Sequence, residues 1–121
     1  MAITSAICNS FKVEILKAVH NFTASSGDTF NLALYTSSAT LNKSTTAYTT
    51  SNEVATATGY TAKGKAITSV TPVLSTDTAV CDFADISWTS ASFTTRGCLI
   101  FNETASGDPA VCAVDFGGDK T

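Results

Sequence analysis

Apolar residues first recur at helical spacing. Ile7, Cys8, Phe11, Ile15, Ala18 and Val19 fall on one side of a segment running from Ser5 to Val19, and Asn9, Lys12, Glu14 and Lys17 fall mostly on the other. This predicts a helix over about residues 5–20, with Thr4 or Ser5 as N-cap. Lys17 and His20 sit near its carbonyl end, where positive charge is favourable, and Asn21 is the expected stop. One helix face is thereby committed to a sheet or to a neighbouring subunit.

After the turn-forming Ser25-Ser26-Gly27-Asp28 the period changes to two. Over residues 29–37, Phe30, Leu32 and Leu34 point one way and Asn31, Ala33 and Tyr35 the other, as a strand requires. Four more strands are expected, over residues 66–74, 78–88, 96–102 and 110–116. In the first, Pro72 indicates an edge position or a bulge. The run Cys98-Leu99-Ile100-Phe101 is apolar on both faces and reads as a central strand, and Gly107-Asp108-Pro109 supplies the turn into the last one. The pattern predicts a single mainly β domain over residues 1–121. Its architecture is an antiparallel β-sandwich-like fold with one N-terminal helix.

Residues 38–65 break the pattern. Their large apolar side chains are few, chiefly Leu41, Tyr48, Val54 and Tyr60, and a polar stretch of that length inside a compact domain is unusual. Two readings stand. It is an extended arm whose aromatic anchors meet a partner, or an Ω-like loop folded back on its own domain by those same residues.

Composition narrows the function. Ser and Thr make up roughly three residues in ten, whereas charged residues are 14% with a net charge of −3. A chain kept in solution by hydroxyls has low self-repulsion, which favours dense association with neighbours. The few Lys and Arg residues are scattered from Lys12 to Lys120, so no phosphate-neutralising face forms and nucleic-acid binding is not expected. No stretch approaches the roughly 18 apolar residues needed to cross a membrane, and Met1 to Ser10 lacks the pattern of a secretory signal.

Cys8, Cys81, Cys98 and Cys112 contain no Cys-x-x-Cys pair, so zinc is not expected and the cysteines read as buried, reduced side chains made in a cytoplasm. Cys98 and Cys112 would face each other if Phe101 lay opposite Pro109, and one residue of slip would separate them. No disulfide is predicted. The sequons at Asn21, Asn42 and Asn102 carry little weight in so hydroxyl-rich a chain.

Catalytic chemistry finds no support in the residues. His20 is the only histidine, and at a helix end it reads as a solvated cap without an orienting partner. Asp82 and Asp85 are three apart on the expected strand and point to opposite faces. Asp115-Phe116-Gly117 spells a kinase tripeptide without the Gly-rich loop and catalytic loop that give it meaning. No cofactor is expected. A sugar-binding surface is the better competitor, with Trp88, Tyr35, Tyr48 and Tyr60 as stacking platforms.

Several segments together resemble a family of small virion structural proteins of tailed phages of aquatic bacteria, cyanobacteria included. They are Ile7-Cys8-Asn9-Ser10-Phe11-Lys12, Phe30 to Ala39, Thr45 to Val54, Gly59-Tyr60-Thr61-Ala62, Asp82 to Trp88, Ala91 to Gly97 and Val114 to Lys120. The resemblance implies a particle component and offers no catalytic residue to carry over. In that family the pattern continues past the final Lys with a further Thr-rich strand, which leaves two expectations for the edge: the sheet is complete at Phe116, or a final strand comes from another chain. The expectation is a capsid decoration or cement protein, a symmetric homo-oligomer bound to the major capsid protein. It would be made in the host bacterial cytoplasm and located in the virion. A tail or fibre-base adaptor is the alternative. Phe11, Leu41, Tyr48, Val54 and Tyr60 are the expected interface anchors.

Overall fold

The computed structural model describes residues 2–57 and 59–121; Met1 and Thr58 lie outside it. In chain order the elements are β1 (Ala6–Ile7), α1 (Asn9–Leu16), β2 (Phe30–Tyr35), β3 (Lys65–Ile67), β4 (Ser69–Ser75), β5 (Thr78–Phe83), β6 (Thr95–Asn102) and β7 (Ala110–Lys120). The fold is mainly β, with antiparallel sheets and one short helix near the N-terminus. A five-stranded sheet runs in the order β1-β7-β6-β2-β3, and β4 and β5 form a separate two-stranded ribbon.

The apolar run predicted as central is central: β6 lies between β7 and β2, and most of its residues are buried. Both faces of the sheet are covered. On one, Ala33, Tyr35, Leu99, Phe101, Ala110 and Ala113 meet Ile3, Cys8, Ala39 and Leu41. On the other, Leu34 and Cys98 meet Val54 and Tyr60, while Phe30 and Ile67 pack beside Phe22, Phe83 and Ile86. The second layer on each side is built mostly from irregular segments.

The helix is shorter than its sequence period. Ala6 and Ile7 are taken by pairing with Ala113 and Cys112, so the chain turns helical only after Cys8. No side-chain cap bonds the first turn, and Ala18, at φ 60°, ends the helix before the expected stop at Asn21. The strand expected over 66–74 is two elements, β3 and β4. That expected over 78–88 ends at Phe83, and the last strand runs on to Lys120. The Pro72 signal is realised as an irregularity in register between Val70 and Val73.

The long segment 38–65 is folded back, and all three tyrosines of the chain hold it. Tyr35 donates its hydroxyl to the Thr49 carbonyl at 2.6 Å. Glu53 receives three donors: Tyr48 at 2.5 Å on Oε1, Tyr60 at 2.6 Å and the Lys63 backbone N–H at 2.8 Å on Oε2. The Tyr60 oxygen in turn accepts the Leu34 N–H at 2.9 Å. Burial, reinforced by the Glu53 carboxylate, holds both phenols well above tyrosine's usual range, so they stay protonated donors. Gly64 closes the segment onto β2 at φ +67°, where a Cβ would stand 1.9 Å from the Leu32 carbonyl oxygen.

Removing the Tyr60 hydroxyl leaves a buried N–H without its partner. Tyr60→Phe is therefore expected to lower unfolding free energy by about 1–3 kcal/mol in urea titration, and Glu53→Ala by at least as much. Unchanged midpoints for both would show that the carboxylate does not hold the loop.

Candidate interaction surface

The expected anchors are largely internal. Leu41, Val54 and Tyr60 are buried in the chain's own core, while Tyr48 and Phe11 are partly buried against it. Tyr48 stacks on Phe101 at 4.8 Å, and Lys63 Nζ lies 5.7 Å from the centre of its ring. Lys63 is held by Asp108 at 2.9 Å and by Glu103 at 3.4 Å. These residues staple a loop; they do not project from it. Spacing alone did not separate the two readings, because an anchor to self and an anchor to a partner use the same aromatic residues.

His20 is also inside, contrary to the expected solvated cap. Its side chain is fully buried among Phe11, Phe22 and Phe30. Both ring nitrogens are engaged: Nε2 with Glu14 Oε1 at 2.9 Å, and Nδ1 with Asn102 Nδ2 at 3.1 Å. Asn102, itself buried, donates to Asp28 Oδ2 at 2.9 Å and accepts the Thr104 and Ala105 N–H groups. The reversal at Ala18 is what tucks the ring under the helix. Each nitrogen has a protein partner and the ring has no open face, so the network reads as a tie between the helix and the β6–β7 connection.

Among the described residues, the large apolar side chains left outside fall in two places. The large apolar residues that are exposed are Val70, Val73, Leu74 and Val80 on the ribbon, and Ile7, Val13, Ile15, Leu16 and Val114 around α1 and its edge of the sheet. Leu16 is 89% exposed and Leu74 72%. On the ribbon, Val73 pairs with Val80 and Val70 with Asp82, and the irregularity between Val70 and Val73 brings all four onto one face. A lone two-stranded ribbon is at best marginally stable in water. This one is tied to the body at its base, through Phe83 packed on Phe22 and Phe30, and through Thr71 Oγ1 accepting the Ala24 N–H. Of the two readings of residues 38–65 the folded loop is the one realised, and the exposed ribbon lies at residues 69–83.

No protein-family model, curated protein or solved structure matches this chain.

The surface carries its own charge pattern. Between Lys65 and Arg96 the charged residues are Asp77, Asp82 and Asp85 alone, so the ribbon and its exit are purely acidic. On α1, Lys12 and Leu16 are one turn apart, as are Val13 and Lys17, which sets two apolar side chains between two lysines on the exposed face. Glu14 points the other way, into its bond with His20.

The stacking platforms for a sugar do not assemble. Tyr35 and Tyr60 are buried, and Trp88 lies 6.1 Å from the Tyr60 ring on one side, with Lys65 Nζ 5.2 Å from its centre. Beside it, Leu34, Ile86, Trp88, Phe93, Phe116 and Lys120 line an open cleft of about 380 Å³. The Asp115-Phe116-Gly117 tripeptide sits in β7, where the Gly117 N–H and the Arg96 side chain hold the Asp115 carboxyl below its usual range. Among the described residues, no group of three or more His, Cys, Asp or Glu is placed to hold a metal, and no helix is long and apolar enough to cross a membrane.

The cysteines are free. Phe101 pairs with Ala110, not with Pro109, and Cys112 lies opposite Ile100 while Cys98 lies opposite Val114. Burial pushes the Cys98 thiol up to about 12 and the Cys112 thiol up to about 11. Cys81 is exposed, contrary to the expected burial, because the ribbon that carries it lies outside the core; partial shielding with Asp82 beside it raises its thiol as well. A raised pKa means less thiolate at neutral pH, so labelling of the native protein by a maleimide is expected at Cys81 first. It should be slow at pH 7 and rise through the alkaline range. Rapid labelling of Cys98 without denaturant would contradict this packing. Asn102→Ala is expected to cost about 2–4 kcal/mol in the same urea assay, since it strips four partners at once.

Proposed function

We propose that the chain is a non-enzymatic structural subunit of a tailed-phage particle, a decoration or cement protein that binds the major capsid protein as a symmetric oligomer. The observation that carries this reading is the apolar ribbon β4–β5. A ribbon that exposes three valines on one face and a leucine on the other is a surface built to be covered. The resemblance of segments along most of the chain to virion proteins of tailed phages supplies the particle. The scarcity of charge supports close packing among copies, since little repulsion opposes it. A lattice engages many copies at once, so avidity holds subunits whose single contacts are modest.

The test is a particle one. In virions of the encoding phage, mass spectrometry should find the chain in a fixed ratio to the capsid protein, and imaging at side-chain resolution should place it on the head shell. Val73→Asp with Leu74→Asp should lower its occupancy by tenfold or more without changing its melting temperature, because both positions are exposed in the free chain. A position on the tail would replace decoration by the adaptor reading. Absence from the particle would end both.

A further inference from the structure

We infer that the cover of the ribbon is a second copy of this chain, whose α1 face of Lys12, Val13, Leu16 and Lys17 receives the ribbon's Val70, Val73 and Val80. This inference rests on the assembly reading and names the partner within it.

The argument begins from the two patches. The exposed large apolar residues belong either to the ribbon or to the surroundings of α1, and neither patch is covered by the other within one chain. Both are presented on regular elements, a strand pair and a helix, so their side chains are already set in position. Their charges are opposite. Asp77 at the ribbon's tip and Asp82 on its valine face bracket the apolar strip, while Lys12 and Lys17 bracket Val13 and Leu16. Opposite charge at the rim steers two copies into register, and the apolar centre supplies the adhesion. Two ribbons facing each other would set Asp82 near Asp82, and two helices would set lysines near lysines. The hetero-patch contact is the arrangement that pairs both kinds of group.

Because the two patches are different surfaces, the contact closes as an exchanged pair, in which each ribbon covers the other's helix, or runs head to tail into a ring. A complementation experiment reads it directly. By light scattering the wild-type chain should be larger than its 12.5 kDa monomer, more so at low salt than at high. Val73→Asp and Leu16→Asp should each give a folded monomer, checked by circular dichroism. Mixed in equal amounts they should form a two-chain species, since one sound ribbon and one sound helix remain. Lys12→Glu with Lys17→Glu, a milder change, should weaken association about tenfold at low salt and less at high salt. A wild-type monomer at all concentrations, or variants that stay apart when mixed, would overturn the inference. Loss of particle occupancy by Val73→Asp but not by Leu16→Asp would also overturn it, and would leave the assembly reading standing with the ribbon docked on another protein.

Discussion

The fold depends on one carboxylate. Glu53 lies at the edge of the sheet, paired through its backbone with Tyr35, and collects the hydroxyls of Tyr48 and Tyr60 together with the Lys63 N–H. The two tyrosines lie over opposite faces: Tyr48 packs against the cluster of Leu99 and Phe101, and Tyr60 belongs to that of Leu34 and Cys98. A single anion thus ties both coverings to one edge. Without it, a polar stretch of nearly thirty residues would have to be ordered by a handful of apolar contacts against the entropy of fixing its backbone. Charge-assisted bonds in a partly buried site are among the stronger single contacts that a loop of this composition can make.

Covering the sheet in this way uses up the chain's large side chains. Tyr35, Tyr60, Phe30, Phe101, Leu41 and Leu99 are fully buried, and the aromatic group of Phe11, His20, Phe22, Phe30 and Phe83 fills the space beneath the helix. The helix gives Phe11 and Glu14 to that space and has Val13, Ile15 and Leu16 left over. The ribbon gives Phe83 and has its valines left over. Interior and exterior are therefore two outcomes of the same allocation: residues that reach the sheet build the core, and those on elements too short or too distant form the surface available to other chains.

The sequence showed the β architecture, the central strand and the bulge at Pro72, because alternation, a continuous apolar run and a proline each have a direct structural cause. For residues 38–65 it leaves two readings open, an arm or a loop folded back; the tyrosine hydroxyls and Glu53 decide for the folded loop, and their pairing is a matter of three dimensions. In residues 69–83 the apolar Val70, Val73 and Val80 mark strands, and strand period alone does not reveal whether anything packs on them. His20 was misread for a related reason: the helix stops at Leu16, and the left-handed turn at Ala18 that buries the ring has no signature in a non-glycine residue. The cysteine register is off by two residues from the pairing that would set Cys98 opposite Cys112: Phe101 meets Ala110 and not Pro109, and Val111 is skipped between Ala110 and Cys112.

An exposed strand pair carries a hazard as well as a use, since its open edges invite endless pairing with other strands. The ribbon is guarded at its edges and open on its face. Pro72 removes a donor from β4, and the irregularity beside it disturbs the ladder. These features act against growth by edge-to-edge hydrogen bonding; the face that carries Val70, Val73 and Val80 also carries Asp82, opposite Val70. Under the proposed assembly, this chemistry favours a bounded, side-chain-mediated contact over open-ended strand pairing, as a closed assembly requires.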